Sequence, residues 1–153
     1  MYRLEQSNSW NGNFAPGDHL LYNGAAFTGV QGDISLTFAT GIFGVGAQVQ
    51  ADFYGGFSGT ISAYGQFNNL LGSFNFNGVS NGNADNSAVL AGVLDNTPDI
   101  YRIVFHTSDI FGGNDFAINQ VDLVTSVPDT GTTLSLLSFG IIGIALMRRF
   151  ARA

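Results

Sequence analysis

The residues of this chain that could carry out nucleophilic chemistry lie close together at His106, Ser108 and Asp109. A Ser-His-Asp triad requires three side chains that converge on one point. Adjacent positions of a strand point to opposite faces, however, so Ser108 and Asp109 are predicted to diverge. We therefore interpret the cluster as the polar end of a strand, and we predict that the protein is not an enzyme.

Side chains that could bind a metal ion are concentrated in two short stretches. They are Asn81, Asn83, Asp85 and Asn86 in the first, and Asp109, Asn114 and Asp115 around Gly112-Gly113 in the second. Carboxylate and amide oxygens are the ligands that Ca²⁺ prefers, so Asp85, Asp109 and Asp115 are candidate calcium ligands. The glutamate that closes an EF-hand loop is absent, and the same residue types are common in turns. The sequence leaves Ca²⁺ open as a cofactor and indicates no other.

Aromatic side chains that could stack on sugar rings occur throughout residues 10–101. They are Trp10, Tyr22, Tyr54, Tyr64 and Tyr101. Packing in the core or at its rim is the alternative use of such residues. A glycoside hydrolase would need two carboxylates on one cleft. Asp52, Asp95 and Asp99 are available, but their spacing places no two of them together.

The elements that position these residues are predicted to be strands. From Phe43 to Phe53, apolar residues occupy every second position, which is typical of a strand with one buried face. The alternation resumes at 60–67 after a glycine-rich turn, so we expect a hairpin around Gly55-Gly56. Similar short runs occur at 34–38, 70–76, 86–94, 101–105 and 116–124. In the last run the apolar positions change phase, which indicates a bulge near Asn119-Gln120.

Seven or eight such strands with no amphipathic helix between them predict an all-β fold. We expect an antiparallel β-sandwich of jelly-roll-like topology over residues 1–125, with a barrel as the main alternative. The chain has 153 residues, of which 45% are hydrophobic, so a core of this size can be buried. There is no cysteine, which excludes disulfides within the given sequence.

The charge of the chain is distributed unevenly. Ten carboxylates and two arginines precede Val127, a net charge of −8, whereas Asp129 and three arginines follow it. An acidic body repels phosphate backbones, so we expect no nucleic-acid partner. The basic residues Arg148, Arg149 and Arg152 are confined to the C-terminal end.

The residues before this basic end form an uncharged apolar segment at 134–147. As a helix it would rise about 21 Å, which is less than the roughly 30 Å hydrocarbon core of a bilayer. A buried C-terminal helix is the alternative, but the segment is apolar on all sides. We predict a short transmembrane helix at 134–147, with a motif and linker at 126–133 and a basic tail at 148–153 that stops transfer on the cytoplasmic side.

The order of these features resembles a known sorting signal. The motif Val127-Pro128-Asp129-Thr130-Gly131, the apolar segment and Arg148-Arg149 are similar to the tripartite PEP-CTERM signal. They are closest to its VPDSG-CTERM variant, with Thr130 in place of the serine. The stretches WNGNFAPGD, GVGAQVQADFYG and NDFAINQVDLV also resemble, more loosely, the β-rich ectodomains of such proteins.

The resemblance implies export in a Gram-negative bacterium and transient residence in the inner membrane through the C-terminal helix. It also implies an exosortase as partner, which would recognise Val127, Pro128, Asp129 and Gly131 and cleave nearby. Such systems accompany exopolysaccharide production, and exopolysaccharide is a further candidate partner. We therefore expect an exported, non-catalytic protein of the cell surface or extracellular matrix. The alternative is a calcium-assisted carbohydrate-binding, lectin-like module on the same tail.

The N-terminus departs from the pattern of such proteins, whose export requires a signal peptide. Residues 1–14 are polar and lack the apolar region of a signal peptide. Either the start is misassigned or truncated, or the protein is not exported. Since the tail implies export, we expect the natural start to lie upstream of Met1.

Overall fold

The computed structural model describes residues 1–24 and 32–126, and these residues form only strands and their connections. The ten strands are β1 (Tyr2–Glu5), β2 (His19–Tyr22), β3 (Ile34–Ile42), β4 (Gly44–Ala51), β5 (Gly55–Tyr64), β6 (Leu70–Ser80), β7 (Val89–Leu94), β8 (Ile100–Asp109), β9 (Phe116–Ile118) and β10 (Asp122–Val124). No helix occurs in this described part of the chain. The predicted all-β fold is confirmed for these residues.

The strands form two sheets in which every pairing between strands is antiparallel. The first sheet has six strands, in which β1, β2, β9 and β4 follow one another and β7 and β10 also pair with β4. The second sheet has four strands in the order β3-β8-β5-β6. No strand pair joins the two sheets among the described residues, so there is no closed barrel there.

The two sheets pack face to face over the larger of two hydrophobic clusters. The four-stranded sheet contributes Ile34, Ile61, Ile103 and Phe105, and the six-stranded sheet contributes Val45, Val49, Phe116 and Ile118. These residues come from alternate positions of their strands, as the period-two pattern predicts. The regular alternation of Phe43–Phe53 follows from this core, because β4 is an interior strand that pairs with β9 and β10 on one side and with β7 on the other.

The hairpin predicted around Gly55-Gly56 is wrong. β4 belongs to the six-stranded sheet, whereas β5 pairs with β6 and β8 in the other sheet. Residues 52–54 therefore carry the chain from one sheet to the other. Gly55 begins β5 with a φ of 121°, a conformation that L side chains rarely adopt, so the glycine serves this crossing and not a hairpin turn.

The bulge predicted near Asn119-Gln120 is confirmed. β9 and β10 lie end to end along the same side of β4, and one extra residue separates their registers. At the interruption, the Asn119 side-chain Oδ1 accepts a hydrogen bond from the Gln48 backbone N–H at 2.9 Å. The Asn119 backbone N–H in turn donates to the Gln48 carbonyl at 3.2 Å. The asparagine thus bridges the point where the regular ladder is broken.

Two phenylalanines cover glycines on the neighbouring strand of the β5–β6 hairpin. Phe57 lies opposite Gly78, and Phe76 lies opposite Gly59. A Cβ added at Gly59 would lie 2.3 Å from Phe76 Cζ, and one added at Gly78 would lie 2.4 Å from Phe57 Cζ. The two rings meet edge to face with centroids 6.4 Å apart. Each ring therefore occupies the space that the opposite glycine leaves open.

Candidate functional site

Three of the five aromatic residues considered for sugar stacking come together at one end of the sandwich. A cleft of about 550 Å³, which we call the aromatic cleft, is lined by Ser9, Trp10, Asn11, Asp52, Phe53 and Tyr54. A second cleft of about 350 Å³ shares Ser9, Trp10 and Asp52 with it and reaches Tyr22. Tyr64 and Tyr101 lie elsewhere, on β5 and β8, and the Tyr64 ring is covered by the Arg102 guanidinium at 3.8 Å.

The carboxylate of this cleft is bound to a buried tyrosine. The Tyr22 hydroxyl donates to Asp52 Oδ2 at 3.0 Å. Burial raises the pKa of Tyr22 above its ordinary value of 10.0, and the negative charges of Asp52 and Asp115 raise it further. Tyr22 is therefore a neutral donor at physiological pH, and Asp52 is held at the wall of the cleft.

Most of the aromatic surface in the cleft is used for packing. Trp10 and Tyr22 are each only 7% exposed, and their ring centroids lie 5.1 Å apart. Tyr54 and Phe53 are about half exposed, and the Tyr54 hydroxyl donates to the Asn11 carbonyl at 3.0 Å. The rings that a ligand can reach are therefore Phe53 and Tyr54, not the tryptophan.

The residues considered for a catalytic triad diverge, as predicted. His106 and Ser108 lie on the outer face of β8, whereas the Asp109 side chain is buried. His106 instead has Asp33 as its partner, with Nδ1 and Oδ1 2.8 Å apart on the protein surface. Asp33 precedes His106 by 73 residues in the chain, and no local pattern in the sequence indicates this pair.

A further serine, Ser80, has the sequence spacing of a nucleophile turn. Gly78-Val79-Ser80-Asn81-Gly82 fits the G-x-S-x-G pattern of α/β-hydrolases. That pattern requires an exposed serine between a strand and a helix. Ser80 ends β6, is buried, and donates through its hydroxyl to the Ala51 carbonyl at 2.8 Å, so it is a structural residue.

The first calcium candidate stretch forms a turn that is closed by its own side chains. Asp85 Oδ1 accepts hydrogen bonds from the Ser87 hydroxyl at 2.5 Å and from the Ser87 N–H at 3.2 Å. The hydrogen bond from the Ser87 side chain is the main cause that lowers the pKa of Asp85. Asn81 Oδ1 accepts from the Asn83 N–H, and Asn86 Oδ1 accepts from the Gln48 side chain.

The second stretch is also a turn, between β8 and β9. Asp109 Oδ1 accepts from the backbone N–H groups of Phe111 and Gly113 at 2.7 and 2.9 Å. Asp115 is separated from this turn by Asn114. Its backbone carbonyl accepts a hydrogen bond from the Asp52 backbone N–H at 2.8 Å. Among residues 1–24 and 32–126, no three acidic or histidine side chains form a group that could hold a metal ion.

The carboxylates considered for hydrolysis are split between two places. Asp52 lines the aromatic cleft. Asp95 and Asp99 lie on the exposed turn between β7 and β8, where both accept a hydrogen bond from the Thr97 hydroxyl, at 3.3 and 2.7 Å. The structure brings Asp95 and Asp99 together, which their spacing did not indicate, but it places them around a threonine and not on an apolar cleft.

The predicted sorting residues lie outside the described part of the chain. These are Val127, Pro128, Asp129, Thr130 and Gly131, the predicted helix at 134–147, and Arg148, Arg149 and Arg152. The last strand, β10, ends at Val124, shortly before the motif. Within the residues that the structure describes, no helix is long and apolar enough to cross a membrane.

Comparison with known proteins gives little for the body of the chain. No curated protein matches it. A solved chain of the Glycosylation Associate Protein (Gap123) complex from Streptococcus agalactiae is similar over 85% of this chain, at 12% identity and a TM-score of 0.33. This chain covers 46% of that one, which is less than half of its length.

The C-terminal segment gives a specific match. The family model described as the VPDSG-CTERM motif matches residues 126–149, which span the predicted motif, the apolar segment and Arg148-Arg149. The match falls where the resemblance in the sequence places the signal. The chain therefore carries a VPDSG-CTERM motif, a variant of the PEP-CTERM-like sorting signal.

Proposed function

We propose that this is an exported, non-catalytic protein of the cell surface or extracellular matrix whose C-terminal tail is processed by an exosortase. The observation that carries the proposal is the VPDSG-CTERM motif at 126–149. In this proposal the host is a Gram-negative bacterium, and the helix at 134–147 holds the protein in the inner membrane until cleavage. Arg148, Arg149 and Arg152 stay on the cytoplasmic side by the positive-inside rule.

The chemistry of the motif supports its use as a processing site. Pro128 disfavours helix at the position before it, and Gly131 imposes no side-chain restriction on the backbone. A segment of this kind can enter an enzyme's active site in extended form. The short apolar segment that follows suits a temporary anchor better than a permanent one, because it is shorter than a typical span.

The strand order supports a jelly-roll fold for the body that is delivered. Strands β2, β9, β4 and β7 lie side by side in one sheet, and β3, β8, β5 and β6 lie side by side in the other. Along the chain, β2 to β5 alternate between the sheets, and β6 to β9 do so again. Two four-stranded sheets with this connectivity are typical of jelly rolls, which serve as structural and binding modules.

The experiment that tests the sorting proposal is an intact-mass measurement on protein from its native host, with and without the exosortase. Wild-type protein is expected to lose everything beyond the 127–131 region only when the enzyme is present. Pro128→Ala should remain full length, whereas the matched variant Thr130→Ser, which restores the serine of the motif, should be cleaved as the wild type is. A full-length mass in both strains would contradict the proposal and leave the tail as a permanent anchor.

A second proposal is that the body binds carbohydrate at the aromatic cleft. It is favoured by the exposed rings of Phe53 and Tyr54 beside the Asp52 carboxylate. A glycan array with the full chain tests it: Tyr54→Ala should abolish binding, and Tyr64→Ala, outside the cleft, should not. Loss of binding in EDTA would identify the calcium-assisted form. An array without any signal would contradict this proposal and leave the sorting proposal untouched.

A further inference from the structure

The outer edge of β6 is long and has no strand beside it in the described part of the chain. β6 runs from Leu70 to Ser80 and ends the four-stranded sheet, where it pairs only with β5. Alternate backbone N–H and C=O groups therefore point away from the sheet over eleven residues. Such an edge is a template on which another strand can add.

The other edge strands carry features that block addition. β3, at the opposite edge of the same sheet, loses its regular register between Thr37 and Ile42. β1 has only four residues and includes Arg3 and Glu5, and β7 has only six residues. β6 has no charged residue and no proline. Natural proteins protect edges by short length, charge, proline or irregularity, and β6 uses none of these along its length from Gly72 to Ser80.

The sequence of β6 is nearly symmetric about Asn75. Read outward from that residue, Phe74 matches Phe76, Ser73 matches Asn77, Gly72 matches Gly78 and Leu71 matches Val79. In an antiparallel pair of identical strands centred on Asn75, each of these residues would lie directly opposite its match in the second copy. Such a contact is isologous, which is the geometry of a two-fold dimer.

The faces of such a pair would also match. Residues opposite each other in an antiparallel pair lie on the same face. Phe74, which is 56% exposed, would meet Phe76 of the second copy and extend the aromatic row that Phe57 and Phe76 already form. On the other face Ser73 would meet Asn77, which continues the hydroxyl and amide pairs Thr60–Asn75 and Ser62–Ser73.

Charge does not oppose this approach. The protein carries a net charge of −6, so two copies repel each other over most of their surface. β5 and β6 contain no charged residue at all. The edge is therefore a place where two acidic molecules can meet without placing like charges opposite each other.

We propose that two copies of this protein pair through their β6 strands, antiparallel and centred on Asn75, and so join their four-stranded sheets into one continuous eight-stranded sheet. This dimerisation is independent of what the tail does. It would let a surface or matrix protein associate with itself through backbone hydrogen bonds.

Cysteine trapping of the full chain tests the register of this pair, because the sequence contains no other cysteine. Under mild oxidation Asn75→Cys is expected to form a disulfide-linked dimer, since the two residues at position 75 face each other. Ser73→Cys alone should not, because the two copies of that residue would lie about 14 Å apart along the strands. A mixture of Ser73→Cys and Asn77→Cys should cross-link. Ser35→Cys, on the opposite edge strand, should stay uncrosslinked.

Sedimentation analysis of the full chain provides the second test. The wild type is expected to be a dimer, and Asn75→Lys a monomer, because two lysines would face each other across the two-fold axis. Ser35→Lys adds the same charge at the other edge and should remain dimeric. A monomeric wild type, a dimeric Asn75→Lys variant, or equal cross-linking at positions 75 and 35 would each overturn the proposal. Since Asn75 is exposed, circular dichroism should show both lysine variants to be folded.

Discussion

Two regions of this molecule use the same kinds of side chain in opposite ways. Four amide side chains in and around the N-terminal segment are buried, and we call them the buried amides. They are Gln6, Asn13, Asn23 and Gln50. On the outer face of β5 and β6, Thr60, Ser62, Ser73 and Asn75 form a polar row, which we call the hydroxyl–amide face. Both regions are polar and uncharged, but only the first is removed from water.

The buried amides bind backbone groups that no strand partner reaches. Gln50 Oε1 accepts from the Asn13 N–H at 2.6 Å, and Gln50 Nε2 donates to the Asn81 carbonyl at 3.2 Å. Asn13 Oδ1 accepts from the Asn81 N–H at 2.7 Å. These bonds tie the N-terminal segment to the turn after β6. On the hydroxyl–amide face the same groups bond to each other at an exposed surface, so the loss of one leaves no buried group unpaired. Burial, not residue type, therefore decides what such a side chain contributes.

The largest effect is expected from Gln50→Ala. It removes two hydrogen bonds and leaves the buried Asn13 N–H without a partner, which should lower the free energy of unfolding by about 3 kcal/mol. Urea denaturation measures this change. Gln120→Ala, at an exposed glutamine, is the matched control and should change stability by less than about 0.5 kcal/mol. Equal effects of the two variants would remove the distinction between the regions.

Asn23→Ala should have the next largest effect. Asn23 Oδ1 accepts from the buried Phe116 N–H at 2.8 Å, and its Nδ2 donates to the carbonyls of Gly32 and Asn114. Loss of the acceptor should cost about 2 kcal/mol of stability, measured by thermal or urea unfolding. Asn77→Ala on the outer face of β6 is the control and should be near neutral. A stable Asn23→Ala variant would show that water replaces the amide.

Stability should fall at alkaline pH because of Tyr22. Its pKa is raised in the folded state, so above pH 10.0 the unfolded chain ionises this group first and unfolding is favoured. The free energy of unfolding is expected to drop by about 1 kcal/mol more between pH 10 and 11 in the wild type than in Tyr22→Phe. Asp52→Asn should stay close to the wild type, because burial, the largest cause of the raised Tyr22 pKa, remains. Parallel profiles for the wild type and Tyr22→Phe would mean that Tyr22 ionises as easily when folded.

The smallest effect is expected on the hydroxyl–amide face. Ser62→Ala with Ser73→Ala removes a pair of hydroxyls 3.0 Å apart, but both are exposed to water. The double variant should change the free energy of unfolding by less than about 0.5 kcal/mol. A loss above 1 kcal/mol in urea denaturation would show that this face contributes to stability as the buried amides do.

The strands were predictable because their patterns are local. The alternation of apolar and polar residues indicates β4 and β8. The change in phase of the apolar positions after Ile118 indicates the bulge at Asn119. The sequence around Gly55-Gly56 predicts a hairpin, but a Gly-Gly turn is equally compatible with a crossing from one sheet to the other. Which sheet a strand joins depends on pairing with distant strands, as β5 does with β8.

The candidate sites were harder to predict than the fold. His106 has its partner in the distant Asp33, and the cleft brings Trp10 of the N-terminal segment together with Asp52 and Tyr54 of the crossing between the sheets. The two stretches rich in asparagine and aspartate could be identified from their side-chain oxygens. The sequence does not show that these oxygens accept hydrogen bonds within their own turns. The sorting signal differs in kind, because a processing signal is read as a continuous segment, and so it can be recognised without a fold.

The pairing of Phe57 with Gly78 and of Phe76 with Gly59 also favours the native register of the β5–β6 hairpin during folding. A slip of two residues in one direction would set Phe57 against Phe76, where two rings compete for one space. A slip in the other direction would set Gly59 against Gly78 and leave a gap. Only the native alignment places a glycine opposite each of these two rings, so the alternation of large and absent side chains helps to encode the correct register of the hairpin.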